Sequence, residues 1–248
     1  MKKIVVAPDS FKGSLTSAEV ADAVERGIKD VFPQCNVVKA GVADGGEGTV
    51  EAIVKAVGGD MYAASVTDPL GRPVKAAYGI VRSGGVKTAV MEMSAASGLP
   101  LLLPDELNPW ITSTYGTGEM ISDALNRGCR KFLVGIGGSA TNDAGTGMLS
   151  ALGVRFLDSS GQRLKGCGRD LESIARIDMS SLMPAARESE FIVACDVNTP
   201  FCGPDGAARV FAPQKGADPQ TAEALDLGMR SFAQVIAEQF QTDIVPLS

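Results

Sequence analysis

Gly135-Ile136-Gly137-Gly138-Ser139-Ala140-Thr141-Asn142-Asp143-Ala144-Gly145 sets glycines, hydroxyls and one carboxylate between an apolar run and a helical pattern. Glycines at such a place let backbone N–H groups close on an anion, and a helix N-terminus favours phosphate. The binding groups would be the backbone of Gly137, Gly138 and Ser139 and the amide end of the helix after Asn142. The segment lacks the lysine of a GxxxxGK[ST] loop and the spacing of GxGxxG. The same residues would also serve as a tight βα turn with Asn142 or Thr141 as its N-cap.

Four further segments carry polar chemistry, each with a plainer alternative. In Asp9-Ser10-Phe11-Lys12-Gly13-Ser14 a lysine beside Asp and Ser can neutralise a transferring phosphoryl group, or be solvated on a surface loop. Asp44-Gly45-Gly46-Glu47-Gly48-Thr49 sets two carboxylates three residues apart. They could hold Mg2+ directly or through water, or be acids favoured by a helix N-terminus. Thr117-Gly118-Glu119, after Thr112-Ser113-Thr114-Tyr115-Gly116, offers hydroxyls to a carboxylate or phosphate, or simple helix capping. Asp196, behind Val193-Ala194-Cys195, is a strand-end acid that could act as general base, or open an Asx turn before Asn198 and Pro200.

Composition narrows the chemistry. Among 248 residues there is no histidine, so imidazole triads, HExxH zinc sites and imidazole proton relays are excluded. A net charge of −6 without a basic run gives no footprint for nucleic acid or an anionic membrane. No stretch of ~18 uninterrupted apolar residues exists to span a bilayer. Five cysteines without a CxxC fit reduced thiols in a cytoplasmic protein. They read as small core hydrophobes, and Trp110 reads as packing.

These segments need strands and helices to hold them. Lys3 to Ala7 and Asn36 to Val42 read as strands. Between them, Thr16 and Glu19 have capping-box spacing ahead of Val20, Val24, Ile28, Val31 and Phe32. A helix with Val50, Ile53, Val54 and Val57 completes a βαβα unit, the local signature of a parallel α/β sheet. From Asp60 the pattern changes: Tyr62 to Thr67, then Val74 to Arg82 and Val86 to Met93 around Ser83-Gly84-Gly85, a hairpin signal. Helix and strand then alternate again, with a helix over 118–127, a strand over 131–136, a helix over 144–152 and a strand over 190–195. Asp218-Pro219 opens a helix with Leu225, Met229, Phe232, Val235, Ile236 and Phe240 on one face. Residues 243–248 read as a strand entering a loop. The expected class is α/β: residues 1–60 as the first part of a parallel α/β domain, residues 61–248 as a mixed-sheet domain.

Taken in order, the motifs resemble the type-1 glycerate kinase family. The resemblance rests on Ile4 to Leu15, Val42 to Thr49, Thr114 to Glu119, Gly135 to Asp143, Ala194 to Val197, and Phe211-Ala212-Pro213-Gln214-Lys215-Gly216-Ala217. It implies a phosphotransferase that moves phosphate from ATP to D-glycerate with Mg2+, in the cytoplasm. It implies two α/β domains, a Rossmann-like parallel sheet and an inserted mixed-sheet domain, with a cleft between them. Under it, Asp9, Lys12, Asp143 and Asp196 are the catalytic candidates, with Lys12 neutralising charge and Asp196 or Asp143 accepting the hydroxyl proton. Ser10, Ser14, Gly116, Thr117, Gly118, Gly137, Gly138, Ser139 and Asn142 are the phosphate and substrate contacts, and Asp44 and Glu47 the Mg2+ ligands. A homo-oligomer is left open. The alternative function is a non-catalytic phosphometabolite-binding protein or an inactive fragment of a kinase. Chains of this kind continue past position 248, so the rest of the first domain is expected beyond it. Residues 1–60 should then dock on the second domain or on another chain through Val20, Val24, Ile28, Val54 and Val57, and the 248-residue chain should bind ATP weakly or not at all.

Overall fold

The structure is a computed structural model that describes residues 3–8, 11, 14–40, 48–195 and 197–245. Strands β1 (Lys3–Val6) and β2 (Asn36–Lys39) pair in parallel, joined by helix α1 (Ser17–Val31). Helix α1 starts on the expected capping box. Thr16 Oγ1 accepts from the Glu19 amide, and the Glu19 carboxylate accepts from the Thr16 amide. That exchange satisfies two of the groups a helix start leaves open.

Helix α2 (Thr49–Val57) lies on a second sheet. Val50 is buried there with Val81 and Val90, and Ile53 and Val54 pack around them. Of the five apolar residues named for docking, Val54 packs on this sheet, Val20 is buried, Ile28 is half-buried, and Val24 and Val57 are exposed. The packed stripe is Val50, Ile53 and Val54, at helical spacing; Val57 falls on the last turn, beside the Gly58 cap.

The remaining described strands are β3 (Gly59–Thr67), β4 (Pro73–Ser83), β5 (Val86–Glu92), β6 (Lys131–Gly135), β7 (Arg155–Leu157), β8 (Arg176–Asp178) and β9 (Glu190–Ala194). The helices are α3 (Ser94–Ser97), α4 (Tyr115–Asn126), α5 (Thr146–Ala151), α6 (Pro184–Arg187), α7 (Ala207–Phe211) and α8 (Pro219–Phe240). Five strands form one mixed sheet in the order β3-β4-β5-β6-β9. Its first three strands run antiparallel, and β5, β6 and β9 run parallel. The β4–β5 hairpin turns on Gly84 and Gly85, with φ of +58° and +81°. Positive φ at both central residues is what a type I′ turn requires, and glycine accepts it without strain.

One core joins the sheet to α4 through Tyr78, Met91, Met120, Ile121 and Phe132. A second gathers Phe156, Leu171, Leu225, Met229 and Phe232 under α8. Asp218 caps α8 by accepting from the Thr221 amide, and Pro219 takes the first turn, as the sequence predicts. The short antiparallel pair β7–β8 is not foreseen, because three-residue strands carry too little periodicity. Of residues 243–248, expected as a strand entering a loop, 243–245 form no strand, and 246–248 lie outside the described residues. Four cysteines are buried as expected; Cys195 is exposed.

The frame for a site is set at the carboxyl ends of β5 and β6. The Met93 amide donates to the Gly135 carbonyl, Leu99 to Gly138, and Ala140 to Ser97. The chain after β6 is thereby stitched to the turns after β5. Strand carboxyl ends are where open α/β sheets hold ligands.

Candidate functional site

The loop after β6 keeps its middle open. Gly137 and Gly138 are exposed and Ser139 is half-buried. Among the described residues no acceptor takes their amides, whereas the carbonyl of Gly138 and the amide of Ala140 are used in the stitching. Thr112 Oγ1 donates to the Ala140 carbonyl at 2.8 Å and holds the far limb down. The expected anion contacts Gly137, Gly138 and Ser139 are thus brought together on one short, braced segment.

Asp143 lies between the starts of two helices. It is buried, and its Oδ2 accepts from the Thr114 amide at 2.7 Å, from Thr114 Oγ1 at 2.8 Å and from the Gly147 amide at 3.3 Å. Its Oδ1 accepts from the Gly145 amide at 3.1 Å. Thr114 Oγ1 itself accepts from the Met148 amide, so its one proton goes to Asp143. Burial pushes the Asp143 carboxyl above its ordinary range, and these donors oppose the rise. The carboxylate joins the start of α4 to the start of α5, with both oxygens occupied.

Three groups of expected contact residues lie inside the protein in this structure. The helix after Asn142 begins at Thr146, and the Gly145 and Gly147 amides at its start are taken by Asp143, leaving them closed to an outside phosphate. Asn142 is buried, and its Nδ2 lies 3.3 Å from Met229 Sδ of α8, turned into the core. Gly116, Thr117 and Gly118 are buried in contacts between elements. A Cβ on Gly116 would lie 1.8 Å from the Thr67 carbonyl oxygen, and one on Gly118 would lie 2.2 Å from that of Met148. Thr117 Oγ1 is paired with buried Ser97 Oγ at 2.7 Å, and Glu119 accepts from the Thr67 amide and hydroxyl. Those glycines give close approach, and the hydroxyl is satisfied inside the protein.

A lysine without an assigned role in the sequence stands beneath the loop. Lys215, on a 3-10 turn (Pro213–Lys215) after α7, is 7% exposed. Its Nζ donates to Ser139 Oγ at 2.8 Å and to the Thr141 carbonyl at 2.6 Å. Burial pulls its pKa down to about 8, against the raising charge of Asp143. The loop has no lysine of its own, and the fold supplies one from 76 residues further along. The run Phe211 to Ala217 was the only signal for it.

Glu92, at the carboxyl end of β5, was also missed. It is buried, and its Oε1 accepts from the Val50 amide at the start of α2. Ser14 is exposed in a turn where its amide donates to the Phe11 carbonyl; among the described residues no polar contact joins it to the β6 loop. Asp9, Ser10, Lys12, Asp44, Glu47 and Asp196 lie outside the described residues. Among the described residues no cluster of three or more acidic or cysteine ligands suited to a metal is found.

Fold and loop together put the chain in the class of mixed α/β proteins whose strand-end loops can cradle an anion. Comparison narrows the class. The model of the glycerate kinase family matches residues 4–247, and the chain belongs to that family. A glycerate kinase of Haemophilus influenzae (strain ATCC 51907 / DSM 11121 / KW20 / Rd) is 50% identical over 94% of this chain and 61% of its own length. A glycerate 2-kinase of Escherichia coli (strain K12) is 46% identical over 98% of this chain and 63% of its own. A Salmonella typhimurium LT2 crystal structure assigned as glycerate kinase 2 superposes with a TM-score of 0.85 at 45% identity, covering 100% of this chain and 66% of that one. The chain spans about three-fifths of the length of the curated relatives it matches.

Proposed function

We propose that the chain serves in ATP-dependent phosphorylation of D-glycerate to phosphoglycerate. The observation that carries this reading is the open Gly137-Gly138-Ser139 segment at the carboxyl end of β6, in a chain matched by the glycerate kinase family from residue 4 to 247. Phosphoryl transfer is mostly positioning and charge stabilisation, so a chain without histidine can perform it. The open amides take an anionic group of ATP or substrate. Lys12, beside Asp9, neutralises charge on the transferred group, and Ser10 and Ser14 contact the substrate. Asp196 accepts the hydroxyl proton; Asp143, with both oxygens occupied, holds the frame. Asp44 and Glu47 are the hard oxygen donors that would hold Mg2+, which would offset phosphate charge. The roles given to Asp9, Ser10, Lys12, Asp44, Glu47 and Asp196 rest on the sequence.

The name of the Escherichia coli relative supports the 2-hydroxyl as acceptor. The division near residue 60, a cytoplasmic setting and assembly into a homo-oligomer belong to the same proposal; no helix among the described residues is long and apolar enough to cross a membrane. The test is a coupled ADP-release assay on protein expressed from its full gene. ADP should appear only when D-glycerate and Mg-ATP are both present. Folded protein that releases no glycerate-dependent ADP would remove the kinase reading.

A further inference from the structure

Three features of Lys215 ask for more than a bracing role. Its two hydrogen-bond acceptors, Ser139 Oγ and the Thr141 carbonyl, are neutral. Burying an ammonium is costly without a carboxylate bonded to it, and a neutral donor would brace the same two atoms at less cost. The nearby carboxylate, Asp143, is engaged by the amides and hydroxyl of α4 and α5. The charge is therefore retained beneath a loop whose upper side has free N–H groups.

The direction of the Ser139 bond follows from chemistry. An ammonium has donors only, so Ser139 Oγ must accept from Lys215. The serine's own O–H is then left to donate, and no acceptor for it exists among the described residues. A hydroxyl accepting from a cation is polarised and becomes a stronger donor. Gly137 and Gly138, exposed next to it, add two amides without acceptors among the described residues.

We propose that Lys215 is a positioning residue of an oxyanion site on the loop after β6: it fixes Ser139 as a donor alongside the amides of Gly137 and Gly138. The ligand class is a phosphate or carboxylate group. The inference leans on the kinase reading only for the source of that group, the nucleotide or the glycerate. Lys215 acts through Ser139 and through the charge it places under the loop, without touching the ligand.

The test follows the amide resonances of Gly137, Gly138 and Ser139 in the 248-residue chain by NMR. Inorganic phosphate and D-glycerate are titrated in separate arms. At least one should give saturable shifts at these three amides, and which one does so identifies the source. Lys215→Met, of similar shape and no charge, should weaken that binding by roughly 10-fold or more, and Ser139→Ala by a similar factor. The double variant should bind no more than about 2-fold worse than the weaker single one, because the two act in series. Lys215→Arg should recover part of the loss. If Lys215→Met fails to fold by circular dichroism, Ser139→Ala and Lys215→Arg carry the test. Saturation by neither anion, unchanged affinity in folded Lys215→Met, or unchanged affinity in Ser139→Ala would overturn the proposal. The readout needs no turnover, so these shifts in the 248-residue chain, with no glycerate-dependent ADP from folded protein expressed from its full gene, would sink the kinase reading and leave the anion site standing.

Discussion

Lys215 and Asp143 are the residues on which the loop stands, and each makes a separate prediction. The Lys215 pKa is about 8 when folded, against 10.5 for an ordinary lysine. Between those values the unfolded chain holds a proton that the folded chain has lost, so this group makes stability rise with pH from about 8 to about 10.5. The rise it contributes is roughly 3 kcal/mol at most. Buried Cys129, Cys167 and Cys202 have thiols pushed up in pKa by burial and act in the opposite sense over part of this range. Denaturant unfolding of the unaltered chain and Lys215→Met, measured from pH 7 to 10, isolates the lysine: the stability difference should shift steadily in favour of the unaltered chain as pH rises. A pH-independent difference would mean that Lys215 titrates normally. For Asp143→Asn, the amide would turn an NH2 towards the Thr114 or Gly145 donors. We expect a loss of about 2–4 kcal/mol in stability. Native stability with activity lost would return Asp143 to the role of proton acceptor.

Among the elements, α4 is fitted against the end of β3 and against α5 through Gly116 and Gly118. Gly118→Ala would set a methyl 2.2 Å from the Met148 carbonyl oxygen, and such overpacking costs about 1–3 kcal/mol or more. Thermal unfolding should show that loss; an alanine variant of full stability and reduced ligand affinity would instead make the glycine a ligand contact. This is also where sequence reading reaches its limit. The capping box at Thr16, the turn at Gly84-Gly85 and the cap at Asp218 are legible because their logic is local, set by residues two or three apart. The loop after β6 is legible for the same reason. Asp143 is not, since a carboxylate in a loop before a helix reads alike whether it faces solvent or four inward donors. Lys215 is not, because its bond to Ser139 spans 76 residues and no periodicity links them. Thr117 reads from sequence as a capping or ligand hydroxyl because its partner, Ser97, lies on another helix.

At the scale of the whole molecule, β9 ends the five-stranded sheet with its outer edge unpaired among the described residues. Phe191, Ile192 and Val193 are exposed in succession, so both faces of this strand are apolar. An apolar run on both faces is the habit of an interior parallel strand, and an exposed edge of this kind promotes association. The 248-residue chain should bind a hydrophobic dye and associate with increasing concentration in sedimentation experiments. Ile192→Lys should reduce both without lowering the unfolding temperature; an equal response in the two proteins would rule out β9 as the adhesive edge.

Phosphorus NMR of the product formed from Mg-ATP and D-glycerate by protein expressed from its full gene tests the proposed reaction itself. A new phosphomonoester resonance from phosphoglycerate should grow as ATP is converted to ADP, with coupling that places the phosphate on the 2-hydroxyl. Folded protein that leaves D-glycerate unphosphorylated, or cleaves ATP to free phosphate alone, would contradict that reaction.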